Sequence, residues 1–416
     1  MRTFSAPAAP KSLDEAGLEQ AFVEDLVLKH LFFLGEFKMS DVAERVKLPV
    51  SLVEIILEDL HKEKLLEIRG AASYTKTSYV FRLTEAGRRK GQEILDLCRY
   101  AGPAPVSLKA YRQRVQSQTV KGAIGGEDIV KDALAHLVLN DTVVRRLGPA
   151  MISGQAVFIY GPSGNGKTSI AEAIGRALPE SVYIPYAIAI GGQVISVYDP
   201  ACHEALECPG DDSQRDTRWV LIKRPVINSG GELTLKMLDL NFDAVSKYYE
   251  APLQMKANNG VFILDDFGRQ QVEPLSILNR WLVPLERQVD HMTLQTGMKV
   301  VIPFDVLVII STDLEPKDLV HEAYLRRLHY KIKVDRPSEQ EYLSIFKSAC
   351  DEQGIVFCED VYNYLNEQWY GAYGVARSAC HPRDLINLIV TESSFYDKPP
   401  QLTVESLSEA CADYFA

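Results

Sequence analysis

Eight consecutive residues, Gly161-Pro162-Ser163-Gly164-Asn165-Gly166-Lys167-Thr168, follow the spacing G-x-x-x-x-G-K-[ST]. Glycines so spaced let the backbone curl until several N–H groups point inward at a polyphosphate, and the helix that starts behind them adds its partial positive charge. Lys167 is long enough to reach the terminal phosphates of a nucleoside triphosphate, and the Thr168 hydroxyl is a ligand type suited to Mg²⁺. A second group lies further on, where the apolar run Gly260 to Leu264 ends in Asp265 and Asp266. At the C-terminal end of a parallel strand, Asp265 can hold Mg²⁺ through its water shell while Asp266 faces an attacking water. A third apolar run, Asp305 to Ile310, ends in Ser311-Thr312-Asp313 beside the same crevice.

The elements that must position these groups are legible nearby. Val157 to Tyr160 is a buried strand leading into the loop, and Ser169 to Ile174 a helix leading out of it. Downstream, Val182-Tyr183-Ile184 predicts a second strand and Tyr198 to Glu207 a helix. Trp219 to Ile227 and Glu232 to Leu238 alternate around Asn228-Ser229-Gly230-Gly231, a hairpin signal. Helical spacing resumes at Phe242 to Tyr249, so this hairpin is expected to interrupt a helix. A further hairpin is expected from His291 to Ile302 around Gly297. Ile129 and Val130 are placed either to support a base or to join the core.

The whole chain has 416 residues and a net charge of −11, room for two or three domains with sizeable cores. No run is long and apolar enough to span a bilayer, and residues 1–17, lacking an apolar segment, read as a flexible leader. Seven scattered cysteines, an odd number, predict thiols and a cytoplasmic protein. Cys202-His203 with Cys208, and Cys380-His381, invite a zinc reading. The first cluster lacks a C-x-x-C pair, so small residues on a helix are the expectation there.

Residues 18–100 read as a small helical module with a two-stranded wing, similar to a winged helix-turn-helix. Ser40 is expected to cap a short helix through Val46, and Ser51-Leu52-Val53-Glu54 to form a capping box opening the next. The hairpin of Leu66 to Arg69 and Tyr79 to Leu83 follows, then a helix from Thr84. Such a module usually lays its second helix in the DNA major groove. Here that helix presents Glu54, Glu58, Asp59 and Lys62, and residues 1–100 hold 15 Lys and Arg against 16 Asp and Glu. Acidic groups repel phosphates, so a protein-docking role is favoured over DNA, with Arg69, Lys76 and Arg82 of the wing the one basic contact. Residues 101–121, with Gly102-Pro103-Ala104-Pro105 and a polar run after it, read as a linker.

From about Gly122 to the C-terminus these motifs resemble an AAA+ ATPase module. It is expected as a P-loop three-layer α/β unit with a parallel sheet at 122–336 and a helical lid at 337–416. The resemblance implies Walker A at Gly161 to Thr168, Walker B at Asp265 and Asp266, sensor 1 at Asp313, an arginine finger at Arg326 or Arg327, and sensor 2 at Arg383. The two hairpins resemble the helix-2 insert and pre-sensor-1 hairpin of MoxR-like ATPases. Because the finger acts across subunits, the resemblance implies a homo-oligomeric ring, most often a hexamer. The family usually has Glu where this chain has Asp266 and Asn where it has Asp313. A carboxylate shortened by one methylene sits about 1.5 Å further back, which implies slow hydrolysis or an activator, and Asp313 would repel a phosphate unless a cation meets it.

Three functions compete. The leading expectation is an ATP hydrolase that remodels a protein client, with the module docking a client or adaptor and the Trp219 to Leu238 hairpin facing a pore. The second is a DNA-associated ATP-dependent switch located by the module. A small-molecule kinase comes third, because it leaves the inserted hairpins and the lid without a role.

Overall fold

A five-stranded parallel sheet carries the predicted site. The computed structural model describes residues 4–71, 79–178, 181–208, 214–319 and 328–415. The sheet comprises β10 (Val226–Ser229), β13 (Val261–Leu264), β16 (Leu307–Thr312), β5 (Val157–Tyr160) and β17 (Tyr330–Lys333), in that order. Strands buried on both faces read as unbroken apolar runs, and β5, β13 and β16 do so. Val157, Ile159, Ile263 and Ile309 face a layer holding Leu147, Ile170 and Ile174. Phe158, Phe262, Val308 and Ile310 face the opposite layer around Trp281. Side-chain alternation along each strand thus builds two cores, one on each side. The chain enters at β5, crosses to the far edge at β10, works back through β13 and β16, and ends on the other side of β5 at β17. The reversal puts the crevice at the C-terminal tip of β5, where open α/β sheets bind ligands.

The segment after the loop helix departs from expectation. β6 (Ser181–Pro185) is a strand, but it pairs with β9 (Trp219–Lys223) in a separate antiparallel ribbon. The Trp219 to Leu238 hairpin does not exist: β10 is the edge strand of the central sheet, parallel to β13, and Leu235–Leu238 is a 3-10 turn. Alternation marks strands only in Trp219–Lys223 and Val226–Ser229, whose partners lie far along the chain, and not in Glu232 to Leu238. Phe242 to Tyr249 is no helix either. β11 (Asn241–Asp243) and β12 (Tyr248–Glu250) form a hairpin whose turn is closed by the Asp243 carboxylate, which accepts the Val245 N–H at 2.8 Å, and by Lys247 in the left-handed region. Tyr198 to Glu207 is irregular; Pro200 and a turn held by Asp199 stop a helix from forming. The second hairpin is present, as β14 (Val289–Thr293) and β15 (Lys299–Pro303), with Gly297 at φ 82° in its turn.

The stretch expected to be a linker is ordered. β4 (Val106–Ser107) pairs with β7 (Ala187–Ile190), which continues into β8 (Gln193–Ser196) and the β11–β12 hairpin as one sheet, β11-β12-β8-β7-β4. Ser107 then caps the helix Leu108–Ser117 by accepting the Ala110 N–H, and Tyr111 and Val115, four residues apart, bury its inner face. Two apolar positions among polar neighbours are a weak stripe, which in sequence is indistinguishable from a polar linker.

The N-terminal module runs from helix Gln20–Phe32 through β1 (Glu36–Lys38), helices Met39–Val46 and Val50–Lys62, β2 (Leu66–Ala71) and β3 (Tyr79–Leu83) to helix Glu85–Leu97, with the sheet in the order β1-β3-β2. Its wing tip, with Lys76, lies outside the described residues. Thr84 caps the last helix as expected, accepting the Gly87 N–H. The other two caps differ. Ser40 sits inside its helix, where Asp41 accepts the Lys38 N–H, and Val50–Lys62 starts at Val50 after Pro49, so no box forms at Ser51. Helices Glu339–Glu352, Glu359–Tyr364, His381–Phe395 and Val404–Phe415 complete the chain around Tyr342, Phe346, Ile386 and Leu407. All seven cysteines are free thiols. Among the described residues no helix is long and apolar enough to cross a membrane.

Candidate functional site

The glycine-rich loop leaves the tip of β5 and enters helix Lys167–Arg176 with three glycines at positive φ: Gly161 at 142°, Gly164 at 77° and Gly166 at 79°. Space as well as φ demands glycine at 161, since a Cβ there would lie 2.1 Å from the Val334 carbonyl oxygen. Lys167 is 8% exposed, and its ammonium donates to the Gly161 and Pro162 carbonyls at 3.0 Å each. Burial lowers the pKa of this lysine, against the raising charges of Asp313, Asp266 and Asp265. Asn165 fixes the loop from inside, donating to the Pro162 and Ser163 carbonyls at 3.0 and 3.2 Å.

Thr168 Oγ1 donates to Asp265 Oδ2 at 2.7 Å, across ninety-seven residues of sequence. The other carboxylate oxygen of Asp265 accepts from the Ser311 hydroxyl at the end of β16 and from the Asp266 N–H at 3.0 Å. Asp266 is exposed at φ 48°, a left-handed conformation that non-glycine residues adopt at a cost of about 1–3 kcal/mol and that clusters at functional sites. Gln270 holds this turn: its amide donates to the Asp265 and Asp266 carbonyls and its oxygen accepts the Gly268 N–H at 2.8 Å. Asp313 lies just beyond β16, whose Thr312 is in register with Tyr160, so Asp313 is level with Gly161. Its carboxylate is paired with the Arg269 guanidinium.

The C-terminal helices close the cleft from above. The Cys380 N–H donates to the Gly164 carbonyl at 2.8 Å, and Asn165 Oδ1 accepts the Ala379 N–H at 3.1 Å. The resulting cleft of about 370 Å³ lies within the usual range for small-ligand sites. It brings together Ser163 to Thr168, Asp265, Asp266 and Arg383. Arg383 is exposed, 3.7 Å from Glu352. Asp313 does not line it, and Arg326 and Arg327 lie outside the described residues. Ile129 and Val130 belong to the core; the wall is His136 to Leu139 instead, opposite Ile345 and Ala349. Sequence reasoning also missed Ser311, Gln270 and the 378–380 contact. Ser311 stood in the motif two residues before Asp313, whereas the other two carry no local signal.

The donor set fits a magnesium nucleotide. A hydroxyl and a carboxylate oxygen 2.7 Å apart at the mouth of a phosphate-type loop are the hard ligands Mg²⁺ takes, with waters completing its shell. The zinc reading fails on geometry: His203 Nδ1 accepts the Asp199 N–H at 3.0 Å and its Nε2 meets the Lys256 carbonyl at 2.9 Å, so neither nitrogen is free for a metal. His381 Nδ1 is likewise engaged, by the Tyr370 hydroxyl.

Residues 338–413 match the family described as "Domain of unknown function (DUF8689)". No curated protein matches the chain. Among solved structures the chain is similar to NtrX from Brucella abortus in complex with ADP, at 15% identity and a TM-score of 0.40, over 66% of this chain and 56% of that one. It is also similar to a mutant RuvB from Thermotoga maritima, at 11% identity and a TM-score of 0.37, over 69% of this chain and 70% of that one. The chain thus spans a little over half the length of NtrX.

Proposed function

We propose that the chain is an AAA+ protein that binds and hydrolyses ATP with Mg²⁺. The observation that carries this reading is the Thr168–Asp265 contact beneath the glycine-rich loop, because it unites the two motifs whose joint task is to hold Mg²⁺ against a triphosphate. In this reading Lys167 leaves the Gly161 and Pro162 carbonyls for the terminal phosphates, Asp266 orients water, and Arg383 reaches down from the C-terminal helical lid. Arg326 or Arg327 completes the site of a neighbouring subunit in a ring, most often six-membered. Lys167→Ala is expected to abolish ATP binding, whereas Asp266→Asn keeps binding and loses turnover by about 10²-fold or more. Calorimetric titration with ATP together with phosphate release checks both, and equal ATP affinity in wild type and Lys167→Ala would sink the assignment.

The work done with ATP is read as remodelling of a protein partner in the cytoplasm, with the winged-helix-like N-terminal module as the docking element. Val50 and Ile55 on the helix Val50–Lys62 are 43% and 49% exposed, and Glu58 on the same helix is exposed too. An acidic face with exposed aliphatic residues suits a protein better than phosphates. Tight, salt-sensitive binding of a defined DNA duplex would favour the ATP-dependent DNA switch instead.

A further inference from the structure

The charge balance around Lys167 turns on Arg269. Three carboxylates, Asp313, Asp266 and Asp265, favour the charged form of Lys167 against its burial. Asp265 and Asp266 line the cleft that a polyphosphate would enter, and Asp313 stands just outside it, level with Gly161; only Asp265 is shared with a hydroxyl suited to a metal. Asp313 is the misplaced charge. It is one residue past β16 and level with Gly161, its side chain only 16% exposed, so water screens it poorly.

Arg269 answers that charge from a position the fold takes trouble to fix. The turn Asp265 to Gln270 is pinned at the Phe267 N–H, which donates to the Ser311 carbonyl at 2.8 Å, and at the Thr312 hydroxyl, which donates to the Phe267 carbonyl at 2.6 Å. Gly268 at φ 105° and the Gln270 amide then turn the chain so that Arg269, itself 62% exposed, reaches back over Asp313. The pair therefore ties the end of β16 to the end of β13, the two strands that frame the phosphate side of the cleft. The carboxylate also holds the Arg269 proton more firmly through their hydrogen bond.

We propose that Arg269 is a positioning residue for the triphosphate: by neutralising Asp313 it lets a γ-phosphate approach Lys167, and so sets the preference of the cleft for ATP over ADP. This rests on the reading of the cleft as an ATP site. Loss of Arg269 alone leaves an uncompensated carboxylate behind Lys167. Loss of both charges restores the balance.

The test is a titration of the full chain with ADP and with a non-hydrolysable ATP analogue, each with Mg²⁺. In Arg269→Ala the affinity for the ATP analogue is expected to fall about tenfold, the scale of one poorly screened unit charge, with ADP affinity changed much less. The double variant Arg269→Ala with Asp313→Asn should regain the wild-type ratio within about threefold, and Arg269→Lys should keep most of it. An unchanged ATP-to-ADP ratio in Arg269→Ala, or no recovery in the double variant, overturns the assignment of Arg269 alone. Failure of wild type to bind either nucleotide removes the ATP reading and this inference with it. Melting curves of the variants should differ only slightly, because Arg269 is 62% exposed and a largely exposed pair contributes little to stability; a common loss of both ligands with a strongly lowered melting point would show a structural role and likewise overturn the proposal.

Discussion

Two seams join the central α/β unit to its neighbours, and they are built differently. Toward the C-terminus, the 378–380 segment meets the glycine-rich loop through backbone groups, the Asn165 amide and the Ser378 hydroxyl, at Ser163, Gly164 and Asn165. Toward the N-terminus, the module shares an apolar core with the inserted sheet, where Ala187 and Val194 pack among its residues. There Arg218 is 4% exposed, paired with Asp216 at 2.8 Å, and donates to the Ala16 and Pro105 carbonyls. Tyr100 adds an edge-to-face contact with Tyr248 at 5.4 Å between centroids. A few exchangeable hydrogen bonds contribute about 1 kcal/mol each and can be traded for a ligand's, whereas a buried ion pair inside an apolar contact is costly to open. This contrast predicts that the C-terminal helices can follow the cleft while the N-terminal module moves with the body.

The sharpest way to break that contrast is Asp216→Ala. It leaves Arg218 buried without its partner and should lower stability by about 3–5 kcal/mol, read by denaturant unfolding. A loss below about 1 kcal/mol would mean that the N-terminal seam is no stiffer than the other. A smaller effect is expected from Asn165→Ala. Exchange of the Ala379 amide with deuterated solvent should speed up about fivefold, the value of one net hydrogen bond, while the Ala104 amide, bonded to the Val46 carbonyl across the other seam, stays as protected as before. Equal acceleration at both amides would show that the two seams open together.

The smallest effect is a pH dependence. Burial lowers the pKa of His30 and of His381 below the ordinary 6.5. His30 meets the Gly102 carbonyl at 2.9 Å. The unfolded chain therefore takes up these protons first, so stability is complete above about 6.5 and declines as pH falls toward the lower folded values. His30→Gln should flatten the decline in melting temperature between pH 7 and 5.5 by on the order of 2 °C. Because His381 sits at the loose seam, its proton should show as faster local amide exchange near Ala379 with little change in global melting. A melting curve flat with pH would remove both histidines from the argument.

What the sequence disclosed was what is written locally. A glycine-rich loop, an apolar strand ending in two aspartates, the hairpin around Gly297 and the Thr84 cap each need only a few neighbouring residues to exist. Within Ser181 to Glu250, β6 and β10 need partners far away. Val226–Ser229 is an edge strand only because Val261–Leu264 lies beside it, and nothing in Val226-Ile227-Asn228-Ser229 names that partner. Phe242, Val245 and Tyr249 sit at helical spacing, yet Asp243 capturing its own turn outweighs that stripe. Arg269 is silent in the sequence for a similar reason: an exposed arginine in a turn acquires meaning only once Asp313, forty-four residues on, is folded against it.

The two-residue strand Val106–Ser107 is small but covers something hazardous. It pairs with Ala187-Ile188-Ala189-Ile190, the last strand of the inserted sheet. A fragment cut at 122, where composition alone would put a boundary, would lose that cover and present a bare apolar edge with unpaired backbone groups. Such edges recruit further strands, so the shortened protein should self-associate and precipitate even with its glycine-rich loop intact. The N-terminal segment thus also serves as the solubility guard of the body it precedes.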